Sequence, residues 1–230
     1  MPRINAILAA MTFNTRRSVL VGLAAAVLLP AIPLCAAEAP LRVACVGDSI
    51  TFGAGVEQRD KNHYPKVLGE LLGAKYEVRN FGRSGATLLK KGDLPYWTTG
   101  EFKAATAFNP DIVIIKLGTN DSKPQNWVHK ADFAADARAL AAHFAALPAK
   151  PRVYLCLPVP VYETKWGINA PVVKGEVIPL LKAAAKEKEL ATIDLYVALS
   201  DKAALFPDKI HPNAAGARLI AQTVAKVLKP

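Results

Sequence analysis

The sequence is poor in the residues that build metal sites and disulfide frameworks. It has three cysteines and four histidines among 230 residues, and none of them form a cluster with the spacing of metal ligands. We therefore predict no metal and no other cofactor. Cys45 and Cys156 lie inside apolar, strand-like runs, which is typical of small core residues rather than of an exposed disulfide framework.

Basic residues outnumber acidic ones, but they form no binding stripe. The formal net charge is +10, yet no basic run is longer than two residues, as at Lys90-Lys91. Nucleic-acid binding needs clustered basic residues, usually with interleaved aromatics, so this function is excluded. Two interpretations of the charge stay open: a basic surface without a specific partner, or attraction to anionic glycans or cell-envelope polymers.

The chain has one long apolar run, and it lies near the N-terminus. Arg16-Arg17 precede the run Val19–Leu34, and the small residues Cys35-Ala36-Ala37 follow it. This order is that of a secretory signal peptide. The run is short and is broken by Pro30 and Pro33, which argues against a permanent membrane anchor. We expect residues 1–37 to be a signal peptide, cleaved near Ala37.

The export route stays open, whereas the destination does not. Thr15–Leu20 fits a twin-arginine pattern, which exports folded chains, and it equally fits a chance arginine pair in an ordinary signal. Residues 38–230 have the length of one domain. Removing the three arginines of residues 1–37 lowers the net charge to about +7. We predict a periplasmic or secreted protein without a stable membrane anchor after signal removal.

Short apolar runs alternate with amphipathic stretches along residues 38–230. The strand candidates are Leu41–Val46, Tyr76–Phe81, Asp111–Leu117, Arg152–Leu157 and Ala191–Leu195. The helix candidates are His63–Leu72, Thr98–Phe108 with Thr98 as its cap, a stretch with the apolar face Phe133, Leu140, Phe144 and Leu147, Lys174–Leu190, and Pro212–Leu228. This alternation predicts an α/β fold: a five-stranded parallel sheet covered on both faces, as in a three-layer α/β/α sandwich.

Polar residues follow several of these strands directly. Ser49, Ser84-Gly85, Asn120 and the loop at residues 158–171 each come just after a predicted strand. Ligands of open parallel sheets bind outside the carboxyl ends of the strands. We therefore expect these segments to meet at one edge of the sheet.

Ser49, Asp208 and His211 are the candidate catalytic residues. Serine, histidine and aspartate are the nucleophile, the base and the residue that orients the base in acyl transfer. Pro212 favours an extended His211 just before a helix, so Asp208 can fold back onto the imidazole. The Asp-x-x-His-Pro pattern is also common in simple turns. Asp48 is interpreted as local support for the turn that carries Ser49.

Acyl transfer also needs hydrogen-bond donors for the oxyanion of the tetrahedral intermediate. The glycine-bearing loop Asn80–Gly85 offers backbone N–H groups, Asn120 offers an amide, and the Ser49 N–H is a third donor. Gly and Asn after a strand are ordinary loop residues as well, so each of these signals is weak by itself.

Four segments together resemble the SGNH hydrolases, also called GDSL esterases. They are Gly47-Asp48-Ser49-Ile50, Gly85 in its Asn-x-Gly-x-Ser-Gly setting, Gly118-Thr119-Asn120-Asp121 and Asp208-x-x-His211. They occur in the family's order and span the chain from Leu41 to the C-terminal helix. Ile50 stands where leucine is most usual, a similar apolar residue.

The resemblance implies a role for each motif residue. Ser49 would be the nucleophile, and His211 the base, oriented by Asp208. The oxyanion hole would be formed by the Ser49 N–H, the Gly85 N–H and the Asn120 side chain. The resemblance also implies a flavodoxin-like sheet order, 2-1-3-4-5, in which the first and fourth strands are not neighbours, so that Cys45 and Cys156 would stay apart.

The expected reaction is ester hydrolysis through an acyl-enzyme. Neutral His211 takes the Ser49 proton during attack and protonates the leaving alcohol, and water then releases the acid. Activity should rise with pH as His211 loses its proton.

The expected substrate is a short-chain ester, because the compact chain offers no lid for long acyl groups. Within the family, the Gly82–Thr87 and Gly118–Ser122 stretches look like those of secreted carbohydrate O-acetylesterases acting on sialic acid or xylan. The alternatives are a short-chain lipid esterase, a lysophospholipase or a thioesterase on the same machinery, and a non-catalytic glycan-binding module. A small-molecule or glycan ester is the expected partner.

Aromatic residues in loops after the strands are candidates for a substrate rim, since such rings can stack on sugar faces. The candidates are Tyr96, Trp97, Trp127, Tyr162 and Trp166. Aromatic residues of loops also commonly anchor the loop to the core.

Overall fold

Five short apolar runs form one parallel sheet in the computed structural model, which describes residues 39–229. The strands are Leu41–Gly47 (β1), Tyr76–Gly82 (β2), Ile112–Lys116 (β3), Arg152–Leu157 (β4) and Ala191–Asp194 (β5). Their order is β2-β1-β3-β4-β5, with every neighbouring pair parallel. The predicted α/β class and sheet order are confirmed, while the predicted signal segment lies outside the described residues.

Ten α-helices, several of a single turn, are present among the described residues. They are Ser49–Phe52 (α1), Arg59–Asn62 (α2), Tyr64–Leu72 (α3), Gly100–Phe108 (α4), Pro124–Trp127 (α5), Lys130–Ala145 (α6), Ala170–Val172 (α7), Ile178–Glu187 (α8), Leu195–Leu199 (α9) and Ala214–Leu228 (α10). A π-helical turn, Val173–Val177, joins α7 to α8. Short 3₁₀ turns are formed by Tyr96–Thr98, Asn120–Ser122 and Ala203–Leu205. None of the helices in residues 39–229 combines the length and apolarity needed to cross a membrane.

The helices cover both faces of the sheet, because alternate residues of each strand point to opposite sides. Residues Ala44 and Val46 of β1 pack in one apolar cluster with side chains of α4, α6 and α8. Their neighbours Val43 and Cys45 pack in the other cluster with α3, α9 and α10. All five residues of the central strand β3 are buried, as expected of a strand that is covered on both faces.

Several predicted helix starts differ from the structure. Helix α3 begins at Tyr64, because His63 is its cap, and Lys174 lies inside the π-helical turn. The cap of α4 is Thr99, whose hydroxyl accepts the Phe102 N–H, whereas Thr98 belongs to the preceding 3₁₀ turn. Helix α10 begins at Ala214, because the Asn213 side chain caps it by accepting the Gly216 N–H. For α4 and α10, the prediction placed the helix start at Thr98 and Pro212. In the structure, the side chains of the neighbouring residues Thr99 and Asn213 cap these helices.

Cys45 and Cys156 are both free and buried. They lie in β1 and β4, which are separated by β3. Burial raises the pKa of the Cys156 thiol to about 12, so this thiol stays protonated at neutral pH. Both residues act as small core side chains.

Candidate active site

The Ser49 turn begins where β1 ends. Asp48 caps α1 by accepting the Ile50 N–H at 3.0 Å, and Ser49 is the first residue of that helix. A Cβ atom on Gly47 would lie 2.1 Å from Thr51 Oγ1 and 2.6 Å from the Lys116 carbonyl oxygen. Only glycine therefore allows α1 to turn this tightly against the sheet, which places the Ser49 hydroxyl at the carboxyl edge.

The structure brings Ser49, His211 and Asp208 together across 162 residues of chain. Ser49 Oγ lies 2.8 Å from His211 Nε2, and His211 Nδ1 lies 2.8 Å from Asp208 Oδ2. A proton on Nδ1 is held by the Asp208 carboxylate, which leaves the Nε2 lone pair facing the serine hydroxyl. This arrangement can draw the proton from Ser49 as its oxygen attacks an electrophile.

The Asp208 turn fixes the carboxylate against the histidine. Lys209 has a φ of +75°, and this left-handed residue lets Asp208 Oδ1 accept the N–H groups of Ile210 at 2.9 Å and His211 at 2.6 Å. Partial burial acts to raise the pKa of Asp208, but hydrogen bonds from these N–H groups and from the His211 ring outweigh it and hold that pKa below its usual range. Asp208 is therefore ionised at neutral pH, as an orienting residue must be.

The three candidate oxyanion donors lie on turns that are hydrogen-bonded to one another. The Arg83 N–H donates to the Gly47 carbonyl at 2.8 Å, which ties the β2 turn to the Ser49 turn. Asn120 Nδ2 donates to the Ala86 carbonyl at 3.1 Å, which ties the β3 turn to the same loop. Three of the four segments predicted to meet at one edge of the sheet are thus linked there.

Each of these donors retains an N–H for an oxyanion. The Ser49 N–H lies in the first turn of α1, where backbone N–H groups have no partner within the helix. Gly85, with a φ of +84°, makes no backbone hydrogen bond through its N–H within the described chain. The Asn120 amide carries two N–H groups, and only one is needed for the Ala86 carbonyl. The oxyanion role of all three remains a prediction.

Four of the five rim candidates are engaged in packing. Tyr96 is completely buried and its hydroxyl donates to the Phe81 carbonyl. The Trp97 Nε1–H donates to the Leu88 carbonyl, and that of Trp127 to Glu176. The Tyr162 hydroxyl donates to the Leu199 carbonyl. These contacts anchor the loops to the core. Burial argues against a place at the rim for Tyr96, whereas for Trp97, Trp127 and Tyr162 that place stays a prediction.

Trp166 is the rim candidate whose ring lies beside that of His211. Its side chain is 58% exposed, and its ring centroid lies 5.9 Å from that of His211. Trp166 and Gly167 have φ values of +51° and +80° and form the tip of a tight turn closed by hydrogen bonds between Lys165 and Ile168. A bulky residue in the left-handed region is costly and is commonly found at functional sites.

The loop that carries Trp166 is attached to both neighbouring functional turns. The Asn169 N–H donates to Ser122 Oγ at 3.0 Å, beside the Asn120 turn. The Tyr162 N–H donates to the Lys209 carbonyl at 2.9 Å, within the Asp208–His211 turn. The loop that carries the indole is therefore held by the same turns that carry the candidate catalytic groups.

Two buried charged residues at this edge were missed in the sequence. Lys116 is fully buried at the end of β3 and pairs with Asp48 at 2.9 Å. Asp121 is fully buried and accepts the N–H groups of Leu88 at 3.0 Å and Leu89 at 2.8 Å. For Lys116 a signal existed: a charged residue that directly continues the aliphatic run Ile112–Ile115 is expected to be buried.

The part of the chain between residues 39 and 229 holds no group of three or more His, Cys, Asp or Glu side chains placed to bind a metal ion.

Comparisons with known proteins find related sequences. The model of the GDSL-like lipase/acylhydrolase family matches residues 45–219. An acetylxylan esterase from Xylanibacter ruminicola is 41% identical over 210 residues, a match that covers 84% of this chain and 44% of the relative. The chain thus spans less than half the length of that curated relative.

Solved structures share the fold. An aryl esterase from M. smegmatis superposes with a TM-score of 0.65 at 22% identity, covering 82% of this chain and 98% of the other. A carbohydrate acetylesterase from Sinorhizobium meliloti superposes with a TM-score of 0.66 at 22% identity and the same coverage. At such low identity the likeness shows the fold alone.

Replacing Asp208 by asparagine should disable the histidine while preserving its position. We expect Asp208→Asn to lower kcat for a small ester by about 100- to 10,000-fold with little change in KM, because the amide favours the wrong tautomer of His211. Asp201→Asn, at an exposed aspartate of the same region, is the matched control. Steady-state kinetics on both variants checks this, and a kcat of Asp208→Asn within twofold of the parent would contradict it.

Asp121 should make the protein less stable as the pH rises. Burial raises the pKa of Asp121 from 3.8 to about 7, against the opposing hydrogen bonds from backbone N–H groups. The folded protein therefore holds this proton more tightly than the unfolded chain. The free energy of unfolding should fall as the pH rises between those two values and level off above them.

The check is urea unfolding from pH 4 to 8 on the parent and on Asp121→Asn. The variant should lose this part of the pH dependence, although it is less stable overall because one backbone N–H loses its acceptor. Asp132→Asn is the control, since its partner Lys91 holds the pKa of that exposed carboxyl below its usual range. An unchanged slope in Asp121→Asn would show that this carboxyl does not titrate there.

Proposed function

The chain belongs to the GDSL-like lipase/acylhydrolase family of ester hydrolases, and we propose that it removes acetyl groups from an acetylated carbohydrate, with acetylated xylan as the first candidate. One observation carries the proposal: the two 2.8 Å contacts that join Ser49 to His211 and His211 to Asp208. They supply an activated hydroxyl at the open edge of the sheet, and family membership makes an ester its target.

The proposed mechanism proceeds through an acyl-enzyme. His211 Nε2 takes the proton of Ser49 as its oxygen attacks the acetyl carbonyl, and Asp208 stabilises the resulting imidazolium. The N–H groups of Ser49, Gly85 and Asn120 bind the oxyanion. His211 then protonates the leaving sugar oxygen. Water, deprotonated by the same nitrogen, releases acetate and restores Ser49.

The choice of a carbohydrate is supported by two findings. The curated relative that is 41% identical to this chain is an acetylxylan esterase. Trp166 presents an exposed indole beside His211, and aromatic rings of this kind pack well against the apolar faces of sugars. Acetyl is the favoured acyl group because the relative's name specifies it.

Export is part of the proposal. Its support is the order of Arg16-Arg17, the apolar run Val19–Leu34 and the small residues that follow. An exported enzyme would meet polymeric glycans directly. Fractionation of cells that express the full chain tests this: the proposal requires processed protein in the periplasm or the medium, and unprocessed protein confined to the cytoplasm would contradict it.

The direct test of the function is acetate release by the purified protein. We expect release from acetylated xylan, assayed beside acetylated sialic acid and acetylated pectin, and preference for aryl acetate over aryl octanoate. Ser49→Ala should abolish both activities, because it removes the nucleophile. Faster turnover of octanoyl than of acetyl esters would favour a lipid or thioester substrate. No turnover of any ester would refute the proposal.

Trp166 should matter for sugar esters and not for small ones. We expect Trp166→Ala to raise KM for an acetylated xylo-oligosaccharide about 5- to 20-fold, the loss of one aromatic stacking contact, and to change kcat/KM for aryl acetate less than threefold. Trp166→Phe should retain part of the binding. Leu71→Ala, at an exposed leucine at the end of α3, is the control. Equal losses on both substrates would contradict a role in sugar binding.

A further inference from the structure

Lys116 places a fully buried ammonium group beneath the active site. It is the last residue of β3 and its side chain is 0% exposed. Nζ lies 2.9 Å from Asp48 Oδ2, 3.1 Å from Asp48 Oδ1 and 2.9 Å from Thr119 Oγ1. An ammonium group has three N–H donors and no acceptor, so these acceptors satisfy it. Asp48 is likewise completely buried.

The partners of Lys116 belong to two different functional turns. Asp48 directly precedes Ser49, and its Oδ1 also accepts the Ile50 N–H of the nucleophile turn. Thr119 directly precedes Asn120, whose amide is the proposed side-chain donor to the oxyanion. One ammonium group therefore links the turn after β1 to the turn after β3, at a point where Gly47 and Lys116 are paired in the sheet.

Stability alone is a poor reason for this ion pair. Taking two charges out of water is costly, and well-packed apolar residues in place of a buried ion pair are often neutral or stabilising. The preceding residues of β3, Ile112–Ile115, show that an aliphatic side chain fits the strand. The ammonium group of Lys116 lies between the turn that carries Ser49 and the turn that carries Asn120, and the proposed reaction requires a fixed separation between these two turns.

The charge of Lys116 also matters for the transition state. The buried Asp48 carboxylate is the neighbour of Ser49, and the oxyanion forms on the carbonyl that Ser49 attacks. An uncompensated negative charge so close, in a medium of low dielectric constant, would oppose the developing negative charge. The ammonium group removes this opposition while it holds the carboxylate in place.

We propose that Lys116 is a positioning residue for ester hydrolysis, which sets the separation of Ser49 and Asn120 through Asp48 and Thr119 and neutralises Asp48 beside the oxyanion. It touches none of the reacting atoms. This inference rests on the proposed function, because it assigns to Lys116 a role in the same reaction.

The test compares kcat, KM and the melting temperature on aryl acetate for a set of variants. We expect Lys116→Met to lower kcat about 100-fold or more with KM within threefold. Lys116 positions Ser49 and Asn120 through Asp48 and Thr119, and the position of these two residues matters most in the transition state. The double variant Lys116→Met/Asp48→Asn should regain the melting temperature of the parent. Its kcat should stay at least tenfold below the parent, since the link between the turns is still missing.

Thr119 provides a matched pair that keeps both charges. Thr119→Val removes the hydroxyl acceptor with little change of shape and should lower kcat about tenfold at unchanged KM. Thr119→Ser keeps the hydroxyl and should stay within about twofold of the parent. This pair decides the question if Lys116→Met fails to fold.

The outcomes separate this inference from the proposed function. If the parent and the folded double variant have the same kcat within threefold while Ser49→Ala is inactive, Lys116 is merely structural and the inference is wrong, whereas the function stands. Equal kcat values for Thr119→Val and Thr119→Ser lead to the same conclusion. If the parent hydrolyses no ester, the proposed function fails and the inference fails with it.

Discussion

The parallel pairing of β1 with β2 on one side and β3 on the other is the constraint on which the site depends. All three strands end at the same edge, so the turns that carry Ser49, Gly85 and Asn120 follow neighbouring strands. The end of β2 lies very close to helix α1: a Cβ atom on Gly82 would lie 2.2 Å from the Phe52 backbone nitrogen. The Ser49 turn can occupy its place only because β1 ends in Gly47 and β2 ends in Gly82.

Polar contacts, rather than apolar packing, determine the geometry of this edge. The charged groups at this edge come with partners: the buried Lys116 lies against the buried Asp48, and the partly buried Asp208 holds His211. Asp121 is buried with backbone N–H groups as its donors. Each such group is expensive to bury and gains little net stability from its partner. Their concentration where the strands end fits a site that is organised before the substrate arrives, at some cost to stability.

The alternation of strands and helices could be predicted from local patterns, whereas the sheet order and the pairing of Ser49 with His211, 162 residues apart in the chain, were predicted through the resemblance to a known family. Apolar runs at regular spacing determine a parallel sheet, and the Asp-x-x-His spacing places Asp208 on His211 through one short turn. The positions of the rim aromatics could not be predicted in this way. The ring of Tyr96 faces the core and that of Trp166 faces the solvent. Burial and hydrogen-bond partners decide between these two positions, and both depend on distant segments. The partners of Lys116 were equally hidden, since they lie in turns that only the folded sheet brings together.

The central claim is that Ser49 carries the acyl group during turnover. The most direct measurement is mass spectrometry of the protein quenched in acid while it hydrolyses an aryl acetate, followed by peptide mapping. The proposed mechanism predicts one acetyl group on the peptide that contains Ser49, formed within the first turnover and lost after the substrate is exhausted. Steady turnover without acetylation of Ser49, or with the acetyl group on another residue, would contradict it.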